Sequence, residues 1–330
     1  MHNKLIFYPQ DESGSCDHFS ELLTAFIRQQ CATWTQLREA RAWLAKNLVK
    51  SFMLTDAEVL VQHNPHRIKS SATRVDKEFI HRRPCFLCPD RLYEEQKALL
   101  FRNDWLVLNN PFPIFQDHLV VAHTKHLPQH IFSCLHAMIA FVQDTGGSFT
   151  TFYNGPECGA SAPDHLHFQA CPAGSIPLVL QFDKLHTDTQ VMHPVSSLCT
   201  TKTIACSVGE LDRRALFFCS TTDPEVLQHQ IHAVVVYLQN ETASAEEPLI
   251  NIIISGSNQR LQGIIFPRKA HRPACYFSRG KSKLLVSPGA VDIGGLIVLP
   301  RREDFERITG EQILNIFSEV CYGKDIFKNL

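Results

Sequence analysis

The chain has 330 residues, of which 44% are hydrophobic and 20% charged, with a formal net charge of -1. Such a length holds one large domain or two of ordinary size. The balanced charge excludes binding driven by broad contacts to a phosphate backbone, so no nucleic-acid partner is expected.

No apolar run is long enough to cross a bilayer, and the N-terminal stretch from Met1 to Tyr8 carries no export signal, so a cytoplasmic protein without a membrane partner is expected. The twelve cysteines are scattered through apolar contexts such as Phe217-Phe218-Cys219. In a chain of this length and setting they read as small, reduced, buried hydrophobes.

In chain order, a helical region is expected from Cys16 to Leu48, with Phe19, Leu22, Leu23, Phe26 and Ile27 at helical spacing. A polar loop from Asn64 to Ser71 follows, carrying the cations Arg67 and Lys69. Arg83-Pro84-Cys85-Phe86-Leu87-Cys88-Pro89 reads as a tight knuckle. Strands are expected over Trp105 to Leu108 and His118 to Ala122, joined by the turn-forming run Asn109-Asn110-Pro111-Phe112-Pro113. An amphipathic helix from about Leu127 to Thr145 ends at Gly146-Gly147. Then come a strand from Phe149 to Tyr153, a loop from Asn154 to Pro163, and a strand carrying His165 and His167.

The second half repeats this order weakly. It shows a strand over Leu216 to Ser220, a helix over Pro224 to Leu238, and paired strands over Leu249 to Ser255 and Gly263 to Pro267. A strand over Val291 to Leu299 and a closing helix from Thr309 to Tyr322 complete the chain, with Thr309 as N-cap. The pattern predicts an α+β fold of antiparallel sheets packed with helices. Two similar halves are expected, over 1–185 and 186–330, with the N-terminal helical segment attached to the first.

Asp164-His165-Leu166-His167-Phe168-Gln169 is the run richest in chemistry. On a strand His165, His167 and Gln169 share one face, while Leu166, Phe168 and Ala170 pack on the other. That arrangement suits a metal site, an acid–base pair or a histidine that attacks phosphorus. His167 is the residue to choose as nucleophile, because neutral imidazole needs no separate base. Gln169 then donates to the non-bridging oxygens.

Cys85 and Cys88 offer half of a tetrahedral zinc site. Buried reduced cysteines account for the same pair, whereas a redox couple is the least supported reading. His118, His123 and His126 crowd the end of the second strand, and a set of Cys85, Cys88, His126 and His165 completes four-coordination. The loop Asn154-Gly155-Pro156-Glu157-Cys158-Gly159-Ala160-Ser161 can bring backbone amides to an anion; taken alone it reads better as an ordinary turn, and it gains weight because it leads directly into the two histidines. Further cations stand at Lys269, Arg272, Arg301 and Arg302.

Tyr153-Asn154, Gly159-Ala160-Ser161 and His165-Leu166-His167-Phe168-Gln169-Ala170 together resemble the signature of one branch of the histidine-triad superfamily. That branch holds the galactose-1-phosphate uridylyltransferases, the diadenosine tetraphosphate phosphorylases and the GDP-L-galactose phosphorylases, and the last share the HLHFQA core. Asn251-Ile252-Ile253-Ile254, Ile265-Phe266-Pro267-Arg268, Gly294-Gly295-Leu296 and Arg301-Arg302-Glu303-Asp304-Phe305 are similar to the C-terminal part of the same phosphorylases. The N-terminal segment and the Cys-Phe-Leu-Cys knuckle resemble a bacterial subgroup.

The resemblance implies two histidine-triad-like halves and transfer of a nucleoside monophosphate through a covalent histidine. The substrate would be a nucleoside diphosphate sugar or a dinucleoside polyphosphate, and the acceptor phosphate or a sugar phosphate. By position, His167 matches the nucleophile, Gln169 the supporting glutamine, and Asn154, Gly159 and Ser161 the phosphate loop. Asn109 and Phe112 fall where ribose and base are held, Arg67 is a further substrate-binding candidate, and Cys85, Cys88, His126 and His165 match the uridylyltransferase zinc set, with a structural role.

Two spacings and residues depart from the pattern. The interval from Ser161 to His165 is one residue longer than in uridylyltransferases, as in the GDP-L-galactose phosphorylases, which in turn generally lack the zinc cysteines. A hydrolase of the same superfamily and a non-catalytic, zinc-stabilised nucleotide-binding protein are the competing readings. Dimers are common in the superfamily, so a homodimer is among the expectations.

Overall fold

A computed structural model describes residues 19–68, 76–185, 188, 190–199, 204–257 and 259–330. Cys16, Lys69, Ser70 and Ser71 lie outside the described residues. Strands β1 (Val49–Met53), β2 (Glu58–His63), β3 (Ala98–Phe101), β4 (Trp105–Asn109), β5 (Leu119–His123), β6 (Phe149–Asn154) and β7 (His167–Pro172) come from the first half of the chain. The rest are β8 (Met192–Pro194), β9 (Ile204–Leu211), β10 (Arg214–Thr221), β11 (Ile250–Ser257), β12 (Arg260–Pro267) and β13 (Leu296–Leu299).

Ten of these strands form one antiparallel sheet in the order β3-β4-β5-β7-β6-β11-β12-β10-β9-β8. Within it one plan occurs twice: β3-β4-β5-β7-β6 and β8-β9-β10-β12-β11 are the same order, and the units join where β6 pairs with β11. Each unit places one long helix between its third and fourth strands in sequence, Ile131–Asp144 in the first and Pro224–Glu241 in the second. The weak repetition in the sequence is thus a repeat of topology. The units are not equivalent chemically, because β12, the counterpart of β7, reads Arg-Leu-Gln-Gly-Ile-Ile-Phe-Pro and carries no histidine.

The two long helices lie on one face of the sheet and touch each other. Their apolar stripes, Leu135, Met138 and Val142 in one and Leu227, Ile231, Val234 and Leu238 in the other, pack on Val121, Phe168, Phe217, Ile252 and Ile265. The second helix starts at Pro224 because Asp223 accepts hydrogen bonds from the amides of Glu225 and Val226. The first begins at Ile131 rather than Leu127, since Leu127 and Gln129 pair their backbones with Leu166 and Pro163 instead. Gly147 ends it with φ +79°, where a Cβ would sit 2.2 Å from the Gly256 carbonyl oxygen.

The opposite face is covered by a second layer. A three-stranded sheet, β1-β2-β13, and the helices Pro177–Leu185 and Gly310–Val320 share a core with Phe152, Phe218, Ile253 and Phe266. Strand β10 is therefore buried on both faces, which explains its unbroken run Leu216-Phe217-Phe218-Cys219.

One element differs in kind from the sequence expectation. Val291 to Leu299 is not a single strand: Ala290–Ile293 is a helical turn, and only Leu296–Leu299 extends, parallel to β2. The Asp292 carboxylate causes this by accepting from the amides of Gly289 (2.9 Å) and Val298 (3.0 Å), bonds that a continuous strand would not allow. No helix among the described residues is long and apolar enough to cross a membrane.

Candidate active site

The second layer leaves part of β4, β5 and β7 uncovered, and a cavity of about 560 Å³ opens there. That size is suited to a ligand of nucleotide dimensions. His167 and Gln169 line it from β7, with Asn109, Phe112, Arg67, Asn154, Gly159 and Ser161 around them. All the residues expected to bind substrate therefore meet in one place. His165 does not line it: the strand begins only at His167, and the His165 amide turns back to bond Ala162 O at 3.1 Å. The alternation holds for the rest of the run, with Leu166, Phe168 and Ala170 in the core on the helical side.

His167 is 5% exposed and is held by its main chain. Its amide donates to Gln129 Oε1 (2.9 Å), while Gln129 Nε2 donates to the carbonyls of His167 (2.8 Å) and Asn154 (3.1 Å). One buried amide side chain thereby fixes the point where β6 and β7 part. His167 Nδ1 lies 2.8 Å from the carbonyl of His165. A carbonyl only accepts, so Nδ1 carries the proton and Nε2 keeps its lone pair. Burial lowers the His167 pKa to about 4, so the ring is neutral at physiological pH.

Gln169 is oriented by a relay from β5. The Ile114 amide donates to His118 Nδ1 (3.2 Å), so the His118 proton is on Nε2, which donates to Gln169 Oε1 (2.9 Å). The Gln169 amino group is left to face the cavity as a donor. Burial depresses the His118 pKa to about 3, which keeps this relay in one protonation state. His118 is thus no metal ligand here; it is a neighbour of Gln169, diagonal across the β5–β7 pair.

The loop after β6 is built differently from a simple anion cradle. Asn154 Oδ1 accepts from the Ala290 amide (2.7 Å) and from Asn251 Nδ2 (3.0 Å), so its carbonyl ties the loop to the second half of the chain. Asn251 Nδ2 also donates to the Cys158 carbonyl (2.8 Å), and Asn251 Oδ1 accepts from the buried Arg268 guanidinium. Gly159 has φ +98°, and a Cβ there would come within 2.7 Å of Gly289 Cα. Its glycine serves close loop packing as much as ligand approach. The segment from Ser287 to Asp292 forms a wall of the cavity, a contribution that sequence reasoning did not assign.

Asn109 is 1% exposed, and its Nδ2 is buried without a hydrogen-bond partner among the described residues. Arg67 Nη1 donates to the Phe112 carbonyl (2.9 Å), fixing the turn beside it. Cys158 is fully buried and its thiol is pushed up to about 12, consistent with no role as a nucleophile.

Beside the cavity, Cys85, Cys88, His126 and His165 converge, with one donor atom of each within 4.8 Å of all the others. Cys85 Sγ is 3.3 Å from His165 Nδ1, and Cys88 Sγ is 3.3 Å from His126 Nδ1 and 3.6 Å from His165 Nδ1. A tetrahedral centre with ordinary Zn–S and Zn–N bonds has S···N edges of about 3.6 Å, so these four side chains can hold a metal ion. His165 Nε2 bonds the His123 carbonyl at 2.8 Å, which directs Nδ1 toward the cluster, and Asp164 Oδ2 lies 3.8 Å from His126 Nε2.

Residues 26–172 match the family described as "Domain of unknown function (DUF4922)", and residues 189–330 match "GDPGP1-like, C-terminal domain". No curated protein sequence matches the chain. Among solved structures, yeast Ap4A phosphorylase Apa2 in complex with Ap4A is similar over 92% of this chain and 98% of its own, with TM-score 0.59 and 15% identity. Apa2 alone gives 87%, 93%, 0.54 and 16%. An ADP-glucose phosphorylase from Arabidopsis thaliana matches over 83% of this chain and 99% of its own, with TM-score 0.38 and 14% identity. The C-terminal part of the chain thus matches a GDPGP1-like C-terminal domain, and the chain shares its overall fold with yeast Ap4A phosphorylase over most of its length.

Proposed function

We propose that the protein is a nucleotidyltransferase that cleaves a nucleoside diphosphate sugar or a dinucleoside polyphosphate through a nucleotidyl-histidine intermediate. The observation that carries this is the tautomer of His167, whose Nδ1 proton is held by the His165 carbonyl while Nε2 is left as a buried, neutral nucleophile. Nε2 attacks the α-phosphorus, the bond from that phosphorus to the bridging oxygen breaks, and the oxygen leaves with the sugar phosphate or nucleotide. Phosphate or a sugar phosphate then attacks the same phosphorus, and the P–N bond returns its electron pair to Nε2. The free amino group of Gln169 faces the non-bridging oxygens and donates as their charge grows.

The test is incubation with a substrate labelled at the α-phosphate and no acceptor. The parent protein should retain an acid-labile, alkali-stable label, and His167→Asn none. A variant labelled as strongly as the parent removes the assignment. Added phosphate should discharge the adduct, whereas release at the same rate without phosphate identifies a hydrolase.

We further propose that the Cys85, Cys88, His126 and His165 cluster holds a structural zinc, supported by its S···N spacings and its oriented imidazole. Metal analysis should then find about one zinc per chain. The division into halves falls after Leu185 in this reading, and a reducing, cytosolic setting suits the eleven free cysteines of the described residues.

A further inference from the structure

Gln96 lies on the stretch that follows the Cys85 and Cys88 knuckle, is 4% exposed, and lines the cavity beside Leu92, Leu108 and Val120. Its Nε2 donates to the carbonyl of Asn109 at 3.1 Å. Oxygen and nitrogen of a side-chain amide are often interchangeable in a structure, but not here, because a carbonyl neighbour accepts only from NH2. Oε1 is therefore the atom left to the cavity, and it has no donor among the described residues.

The stretch around it is clamped. The Gln96 amide bonds Tyr93 O at 3.1 Å, the Lys97 amide donates to Gln30 Oε1 at 2.8 Å, and Gln30 Nε2 donates to Glu95 O at 3.3 Å. Gln30 belongs to the helix Phe19–Thr33 and is fully buried, so both neighbours of Gln96 are pinned to that helix. The result is a fixed acceptor set among apolar side chains.

We propose that Gln96 Oε1 selects the nucleobase by accepting from an exocyclic amino group. This rests on the cavity being the nucleotide site. A flat base fits between Leu92, Leu108 and Val120, and its amino group completes the acceptor. In the same pose hypoxanthine places an oxo group or a C–H where the amino group would be, its N1–H being displaced from that position, and so leaves the buried carbonyl without its donor, which costs affinity. The substrate class is thereby narrowed to nucleotides whose base carries an exocyclic amino group, and among purines to adenine and guanine over hypoxanthine.

The test is equilibrium binding of ADP, GDP, CDP, UDP and IDP to the parent protein by titration calorimetry. At least one of ADP, GDP and CDP should bind roughly tenfold or more tightly than IDP. Gln96→Leu should bring the difference to within about threefold. IDP binding as tightly as the best of those three overturns the proposal. So does a Gln96→Leu protein that melts like the parent and keeps the full difference. The comparison within the parent needs no variant to fold. Failure of ADP, GDP and CDP alike to bind overturns this proposal, and failure of UDP as well removes the nucleotide reading with it. A clear ADP or GDP preference without an adduct on His167 leaves this proposal standing and removes only the covalent step.

Discussion

Glu247 joins the second half of the chain to the start of the helix Ile131–Asp144, where its carboxylate accepts from the Ile131 amide (2.5 Å) and the Tyr153 hydroxyl (2.8 Å). Both donors favour the charged form, yet burial wins and raises its pKa from 4.5 to about 7. A carboxyl whose folded pKa lies above its unfolded one binds its proton more tightly when folded. Its contribution to stability is full below pH 4.5 and is lost as pH rises through about 7. Glu247→Gln, which keeps an acceptor for Ile131 and cannot ionise, should therefore gain stability relative to the parent between pH 5 and pH 8. Melting temperatures across that range check this, and parallel curves for the two proteins would remove it. At this scale the sequence was informative where one strand sufficed: His167 and Gln169 two residues apart share a face by geometry alone. Gln129 and His118 were not legible as their partners, because those bonds span 38 and 51 positions of sequence and exist only once β5 lies beside β7.

The Cys85 and Cys88 knuckle shows the same contrast among elements. The Cys85 and Cys88 spacing announced a two-thiolate turn, and the two histidines named with it are the ones that meet it. What the spacing did not reveal is that the stretch after the knuckle, from Leu92 to Gln96, continues as a wall of the cavity. Cys85 and Leu87 are buried against Ala98, Leu106 and Val120, whereas Phe86 is 47% exposed with the Arg83 guanidinium 5.0 Å from its ring, so apolar packing holds one side of the turn and the converging metal-ligand side chains the other. Stripping zinc with a chelator should accordingly lower the melting temperature and weaken nucleotide binding together, and restoring zinc should return both. Cys88→Ser should behave as the stripped protein does. A metal-free protein that melts and binds as before would show that the knuckle holds its shape through packing alone. The run from Val291 to Leu299 was misread for a related reason: hydrophobic alternation cannot register a carboxylate two positions in, and Asp292 bonds the backbone on both sides of itself.

At the scale of the molecule, the proposed catalytic residues His167 and Gln169 come from one half while the loop that faces them is held by the other. Arg268, from β12's end, is 1% exposed and donates to Asn251 Oδ1 and, at 3.1 Å, to the Pro288 carbonyl. Asn251 passes the contact on to Asn154 and Cys158, and Asn154 to Ala290. Nothing in the sequence marks an amide pair at the β6–β11 seam as the link between the halves, since Asn251 and Asn154 face each other only through that register. If the chain of bonds is cooperative, removing either asparagine already breaks it, and the second removal costs little more. Asn154→Ala and Asn251→Ala should each destabilise the protein by about 1–3 kcal/mol, and the double variant by clearly less than their sum. The coupling energy in that cycle should exceed ~0.5 kcal/mol, read from urea unfolding at constant m-value. Each single variant should also lower kcat/KM, because the Gly159 loop and the Gly289 turn are in contact and loosen together. Additive stabilities with unchanged turnover would mean that the two halves are joined by sheet pairing alone and that the site in the first half is complete without the second.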